Sequence, residues 1–325
     1  MSEVVILGAG AWGTALAIQA FRAGRSVTLW ARDPARAAAI AAARENPRLP
    51  GIRLPEAIAV TADLPTASGA VLLAVPVQHL RAIMVRLPAA STPILVCAKG
   101  VEAGSHRFPL EILDQLQPGR PCAVLSGPNF ASEIARLLPA AAVIAATDPA
   151  LRAHLTGLLA SPQFRLYGND DPIGVQAGGA AKNVIAIAAG AVIGAGLGEN
   201  ARAALITRGV AELSRLILAL GGRGETAMGL SGLGDLLLTC TGASSRNYSL
   251  GQALGRGESL AGILAGRSSV TEGVATAPAL LARAQKLNGG ELDLPICAAV
   301  AALVSGRSSL ADLMADLLAR PLRDE

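Results

Sequence analysis

Near its start the chain carries eighteen residues, 4–21, without a single charged side chain, and three glycines divide them. An apolar β-branched run, Val4–Leu7, leads into Gly8-Ala9-Gly10-Ala11-Trp12-Gly13, and an alanine-rich helical run follows. A strand that enters a helix through glycines at this spacing makes a tight turn. It lets the backbone approach a pyrophosphate, and it packs the helix closely on the strand. The helix N-terminus then faces the phosphates. The stretch has about the minimum length for a membrane span, but the glycines and Gln19 interrupt it. It is preceded by Glu3 rather than by Lys or Arg, unlike the basic start of a signal peptide. The expectation is a cytoplasmic protein with no membrane span.

Similar apolar runs recur at Ser26–Trp30, Ala70–Val75, Ile94–Ala98, Ala123–Leu125, Ala142–Ala145 and Phe164–Tyr167. Their near-continuous apolar character suits parallel strands covered on both faces. Asp33-Pro34 and Asp148-Pro149 place a capping carboxylate ahead of a proline at the first helical position. The alternation predicts an α/β fold, a doubly wound parallel, Rossmann-like sheet over 1–172. After Asp170-Asp171-Pro172 the texture becomes helical, with a long helix over Ile173–Ala195. Further helices are expected at Ala201–Gly221, Asp235–Cys240, Arg246–Arg256, Ser259–Ala265, Val274–Leu287 and Ile296–Leu303. This predicts an all-α second domain over 173–325.

Charge narrows the ligand class. Lys+Arg 28 against Asp+Glu 24 leaves a net +4, with no basic run to collect it, and aromatic residues make up 2% of the chain. Nucleic acid is therefore a poor partner and a small anion a better one. Cys97, Cys122, Cys240 and Cys297 form no CxxC, so neither a disulfide framework nor a zinc ribbon is expected, and a reducing compartment fits. His79, His106 and His154 show no metal-ligand spacing, and no metal site is expected.

Only three residues are lysine: Lys99, Lys182 and Lys286; every other basic residue is arginine. Where positive charge alone is needed arginine serves, so a retained lysine is a candidate for proton transfer near neutral pH. Lys99 follows the strand Ile94–Ala98 at the ligand-binding edge of the sheet. Lys182 lies in the long helix beside Asn183, among small residues, and Lys286 reads as solvated. Ser126-Gly127-Pro128-Asn129-Phe130-Ala131 follows another strand to the same edge. Gly229–Gly234 is a glycine-rich loop that ends at Asp235, as readily a helix cap as a functional acid. Ser244-Ser245-Arg246-Asn247 opens a helix whose free N–H groups, hydroxyls and guanidinium suit a phosphate. At the end of the second strand Asp33 reads as a cap, and Arg32 stands where it would meet a 2′-phosphate. NADP is therefore expected alongside NAD.

These motifs together resemble the bacterial-type NAD(P)-dependent sn-glycerol-3-phosphate dehydrogenases, essentially from end to end. The resemblance rests on Gly8–Gly13, Ala98-Lys99-Gly100, Ser126-Gly127-Pro128, Gly174-Val175-Gln176, Lys182-Asn183-Val184-Ile185-Ala186 and Leu205-Ile206-Thr207-Arg208-Gly209. It continues through Gly232-Leu233-Gly234-Asp235-Leu236, Thr239-Cys240-Thr241, Ser245-Arg246-Asn247 and Glu272-Gly273. Two departures are Ala11 where the family usually has Ser, and Asn129 where it has Thr or Ser.

The resemblance implies reduction of dihydroxyacetone phosphate to sn-glycerol 3-phosphate, and the reverse, for phospholipid synthesis by a homodimer. It implies Lys182 as acid/base, with Lys99, Asp235 and Asn183 around it. The substrate would be held by Lys99, Gly127, Asn129, Lys182, Asp235, Ser245, Arg246 and Asn247. The coenzyme would meet Gly8, Gly10, Ala11, Trp12, Gly13, Arg32, Lys99, Ala131, Arg246, Val270 and Glu272. Two alternatives stand beside it. A β-hydroxyacid dehydrogenase also uses a lysine in the joining helix but gives no reason for Ser245-Arg246-Asn247, and a nicotinamide-sensing module would not need Lys182.

Overall fold

The structure is a computed structural model of the chain, describing residues 3–242, 244–267, 271–287 and 292–318. Residues cluster into two units, one of 1–99 and 108–176, the other of 100–107 and 177–325.

The first unit opens with β1 (Glu3–Leu7), α1 (Ala11–Arg22), β2 (Ser26–Trp30), α2 (Pro34–Ala43), β3 (Ala59–Thr61) and β4 (Ala70–Leu73). It continues with α3 (Val77–Met84), β5 (Ile94–Val96), α4 (Pro109–Leu116), β6 (Cys122–Ser126) and α5 (Ala131–Ala135), then β7 (Ala140–Ala145), α6 (Pro149–Leu159) and β8 (Phe164–Asn169). The eight strands form one sheet in the order β3-β2-β1-β4-β5-β6-β7-β8. From β3 to β6 every pairing is parallel. The apolar runs are continuous because both faces are covered. One core joins Leu16 and Ile18 of α1, Ile40 of α2 and Leu155 of α6 to the sheet. The other joins Leu80 of α3 and Ile112 of α4 to Val5, Leu73 and Val96.

One strand departs from the expected parallel sheet. β7 runs antiparallel to β6, while β8 is parallel to β7. The intervening α5 has five residues, about 7.5 Å of rise. That is too short to carry the chain back along a strand of about 20 Å, so β7 returns in the opposite direction. β3 was not anticipated; it is a three-residue edge strand without a buried residue. β4 and β5 end earlier than their apolar runs, at Leu73 and Val96.

α7 (Pro172–Gly194) follows β8, and its residues from Ala177 onward belong to the second unit. It is the one described helix long and apolar enough to cross a membrane, with mean hydropathy 1.4, and 83% of that window is buried inside the protein. After it come α8 (Gly198–Ala219), a 3₁₀ turn (Gly224–Met228), a π-helical turn (Leu230–Gly234), α9 (Asp235–Thr241) and α10 (Arg246–Gly255). α11 (Leu260–Ala265), α12 (Glu272–Ala284), α13 (Pro295–Val304) and α14 (Leu310–Leu318) complete the unit. No strand occurs among its described residues.

Glu212 of α8 ties two of these helices together. Its carboxylate accepts the backbone N–H groups of Ile296 (2.6 Å) and Cys297 (3.1 Å), donors at the α13 N-terminus that α13 itself cannot satisfy. Burial pushes the Glu212 carboxyl up to about 7 from 4.5, against the downward pull of those two bonds. The folded state therefore favours the protonated acid more than the unfolded state does. This contribution to stability is full below about pH 4.5 and lost as pH rises through about 7. Between those values the wild type should lose about 3 kcal/mol relative to Glu212→Gln, and denaturant unfolding of both proteins across that pH range measures the difference.

Candidate functional site

In the first unit the glycine turn is fixed by close approach. A Cβ on Gly13 would lie 1.9 Å from the Gly8 carbonyl oxygen, so only glycine lets α1 start this close to β1. Gly8 itself has φ +120°. Gly10 differs: a Cβ there would meet nothing within 4 Å. Gly10 is also the α1 cap residue, and no side chain caps the helix. Uncapped N–H groups beside open space fit a pyrophosphate. Ala11 and Trp12 are half-buried at the start of α1.

A hub that the sequence reading missed holds this turn. Fully buried Asn46 donates to the Ala9 carbonyl (3.1 Å) and to Thr14 Oγ1 (2.6 Å), and its own oxygen accepts the Arg48 N–H (3.1 Å). Arg36 also donates to the Ala9 carbonyl and to Asn46 Oδ1. Burial, then the nearby Arg48 charge, lowers the Arg36 pKa, with Asp33 opposing them. Asp33 caps α2 as expected, accepting from Ala35 N and Arg36 N. Arg32 is exposed. Arg32, Arg36 and Arg48 thus follow the end of β2, where the adenosine ribose of a dinucleotide belongs. Asn46-Pro47 reads locally as a turn, and only the tertiary fold reveals its partners.

Farther along the sheet edge, Lys99 Nζ donates to the Gly127 carbonyl at 3.2 Å. Gly127 has φ +133°, and a Cβ there would lie 3.0 Å from Ala142 Cα and 3.4 Å from Asn129 Nδ2. The turn therefore requires glycine. Ala131 begins α5.

In the second unit Lys182 of α7 is 8% exposed. Its Nζ donates to Asp235 Oδ1 at 2.5 Å and to Thr239 Oγ1 at 3.0 Å. Asp235 and Thr239 stand one turn apart on α9, and the threonine hydroxyl is also 2.6 Å from the Asp235 carbonyl. The cap position of α9 falls on Gly234, so the Asp235 carboxylate serves the lysine. Gly178, one turn before Lys182, makes this approach possible, since a Cβ would lie 2.6 Å from the Ser231 carbonyl of the π-helical turn. Cys240 is buried nearby, its thiol pushed up to about 12 by burial, and it stays protonated at neutral pH. Thr239, quoted in the sequence reading only within the Thr239-Cys240-Thr241 motif and given no role there, is a member of this cluster.

A second polar chain joins α7, α10 and α12. Asn247 donates to Asn183 Oδ1 at 2.8 Å and accepts the Gly273 N–H at 3.0 Å. Ser245 caps α10 through the Tyr248 N–H, while Arg246 is exposed at its first position. Arg267 donates to the Arg246 carbonyl at 2.7 Å. Glu272 opens α12, half-buried. Val270 lies outside the described residues.

Two substitutions test these supports. Asn46→Ala orphans Thr14 Oγ1 and the Arg48 N–H, and should lower unfolding free energy by at least about 2 kcal/mol. Gly178→Ala should cost about 1–3 kcal/mol through overpacking against Ser231. Denaturant titration reads both.

Comparison with known proteins identifies the family. The family model for the NAD-dependent glycerol-3-phosphate dehydrogenase N-terminus matches residues 3–152, and that for the C-terminus matches 171–315. The chain is 56% identical over 326 residues to a glycerol-3-phosphate dehydrogenase [NAD(P)+] of Acidiphilium cryptum, covering 99% of this chain and 98% of the relative. It is 52% identical over 322 residues to that of Gluconobacter oxydans, covering 98% and 97%. Among solved structures, glycerol-3-phosphate dehydrogenase from Coxiella burnetii superposes with TM-score 0.93 at 36% identity, over 98% of this chain and 99% of that one. The chain belongs to the NAD-dependent glycerol-3-phosphate dehydrogenase family, an NAD(P)-dependent oxidoreductase with a Rossmann-type sheet unit and a helical unit.

Proposed function

We propose that this chain moves a hydride between NAD(P)H and dihydroxyacetone phosphate to give sn-glycerol 3-phosphate, reversibly, and so supplies glycerophospholipid synthesis in the cytoplasm. The carrying observation is Lys182, a buried amine held by Asp235 and Thr239 in a chain that otherwise uses arginine almost throughout. In this reading residues 1–172 bind the dinucleotide and residues 173–325 hold the substrate. The free cysteines accord with a reducing compartment. Exposed Leu218, Met228 and Leu237 are apolar surface that a homodimer would cover.

The Gly8–Gly13 turn and the α1 N-terminus hold the pyrophosphate, with Ala11, Trp12, Ala131, Val270 and Glu272 along the coenzyme. Arg32 meets the 2′-phosphate of NADP, and Arg36 and Arg48 add positive charge at the same strand end, so NADP and NAD are both accepted. The reduced nicotinamide supplies the hydride. As the ketone carbon becomes tetrahedral its oxygen gains negative charge, and Lys182 stabilises that charge and gives it a proton. Asp235 holds Nζ in one orientation, and Thr239 fixes the lysine from a second direction. In the reverse direction the neutral amine takes the hydroxyl proton. Lys99 and Asn183 complete the polar surroundings, while Ser245, Arg246 and Asn247 anchor the phosphate. Binding energy from that remote group positions the carbonyl.

Lys182→Ala should lose at least about 100-fold in turnover, the usual scale of general acid catalysis, while NADPH binding measured by fluorescence persists. Near-normal turnover by the variant would refute the assignment.

A further inference from the structure

Two arginines meet at the first turn of α10. Arg246 stands exposed at the first helical position. Arg267, two residues beyond α11 and half-buried, folds back onto the same turn. Its Nη1 donates to the Arg246 carbonyl at 2.7 Å and to Thr271 Oγ1 at 3.4 Å, and its Nη2 donates to Ser249 Oγ at 3.1 Å. All three acceptors are neutral, so they orient the guanidinium without balancing its charge. Every residue in this cluster belongs to the helical unit.

Charge is thereby concentrated at one spot. Burial, and then the Arg246 charge, press the Arg267 pKa down, while Glu258 opposes them; an arginine keeps its proton at neutral pH regardless. Glu258 is shared, because Arg256 donates to its carboxylate at 2.8 Å. A helix start also favours acidic over basic neighbours, so a second cation there works against the stability of the turn. An anion of more than one charge would offset that cost. A phosphate monoester carries nearly two negative charges at neutral pH. In the proposed function Ser245, Arg246 and Asn247 anchor such a group, and of these only Arg246 is charged.

We infer that Arg267 is a positioning residue for the substrate's phosphate, holding the Arg246 backbone in place and adding the second positive charge that matches a phosphate dianion. The inference rests on the proposed reduction of dihydroxyacetone phosphate. Arg267 acts through Arg246: its fork fixes the carbonyl of the residue whose guanidinium is the anchor. Its charge favours a doubly charged group over a singly charged one at the same place, because Coulomb attraction scales with the charge of the ligand.

Steady-state kinetics on three variants test it. Arg267→Gln removes the charge and keeps an amide donor, Arg267→Lys keeps the charge, and Ser249→Ala removes one acceptor of Arg267 without touching charge. Arg267→Gln should raise KM for dihydroxyacetone phosphate at least about threefold, with kcat within about twofold of wild type, because the lost attraction acts on ground and transition states alike. Inhibition by inorganic phosphate should weaken by the same factor. Arg267→Lys should recover most of the wild-type KM, and Ser249→Ala should leave KM unchanged; circular dichroism checks that each variant folds. The wild type offers an arm that needs no variant: as competitive inhibitors, methyl phosphate, a dianion, should bind at least about tenfold more tightly than dimethyl phosphate, a monoanion. Equal inhibition by those two anions, or an unchanged KM in Arg267→Gln, would overturn the inference while leaving the proposed function standing. An equal rise of KM in Arg267→Lys or Ser249→Ala would also overturn it, by making Arg267 a tether alone. A variant effect confined to NADPH affinity, measured by fluorescence without ketone, would do so by assigning Arg267 to the coenzyme. Failure of the wild type to reduce dihydroxyacetone phosphate would overturn both readings.

Discussion

The contact between Lys182 and Asp235 constrains the helical unit more than any other. An ammonium buried to this degree is stable only beside a counter-charge, and removing one partner of such a pair costs about 3–5 kcal/mol. The chain therefore has to bring α9 against α7 closely enough for a 2.5 Å contact. Gly178 supplies the clearance, and the π-helical turn at 230–234 delivers Asp235 at the first position of α9, with the cap position on Gly234. Thr239, one turn later on the same helix, meets the amine from a second direction. Local irregularity in an otherwise helical unit is thus explained by the electrostatics of one lysine.

The sheet unit solves a different problem, a tight turn from β1 into α1. Its solution depends less on charge than on clearance at Gly10 and on a fixed course for the turn. Asn46 and Arg36 hold the Ala9 carbonyl from one side, and Gly13 allows α1 to close against Gly8 from the other. Arg32, Arg36 and Arg48, which follow β2, add positive charge to the unit, and of these only Arg32 was readable from position alone.

Much of the architecture was legible because strands buried on both faces must be apolar throughout, and β1, β2 and β4 to β7 announce themselves in that way, whereas in β8 only Phe164 is buried. β3 did not, being three residues at an edge. The reversal at β7 was hidden because apolar runs carry no direction; the length of α5 decides it. α14 was missed although Ser309 and Asp312 cap it reciprocally, a pattern present in the sequence. At the site, the scarcity of lysine pointed to Lys99 and Lys182. Whether Asp235 capped a helix or met a lysine could not be settled by residue type, since both uses need a carboxylate at a helix start. The partners of Thr239 and Asn46 were out of reach because they lie 57 and 32–37 residues away in the chain.

Asn247 has a consequence for how this protein can diversify. Its amide spans three helices, bonded to Asn183 on one side and to the Gly273 backbone on the other, and a Cβ on Gly273 would lie 2.7 Å from its oxygen. No member of that trio can be exchanged alone without leaving a buried group unmatched or forcing a clash. In the proposed function, drift toward a different anion then proceeds through the exposed Arg246 or through several simultaneous changes, which makes the interior of this anchor an evolutionary dead end and its rim the adaptable part.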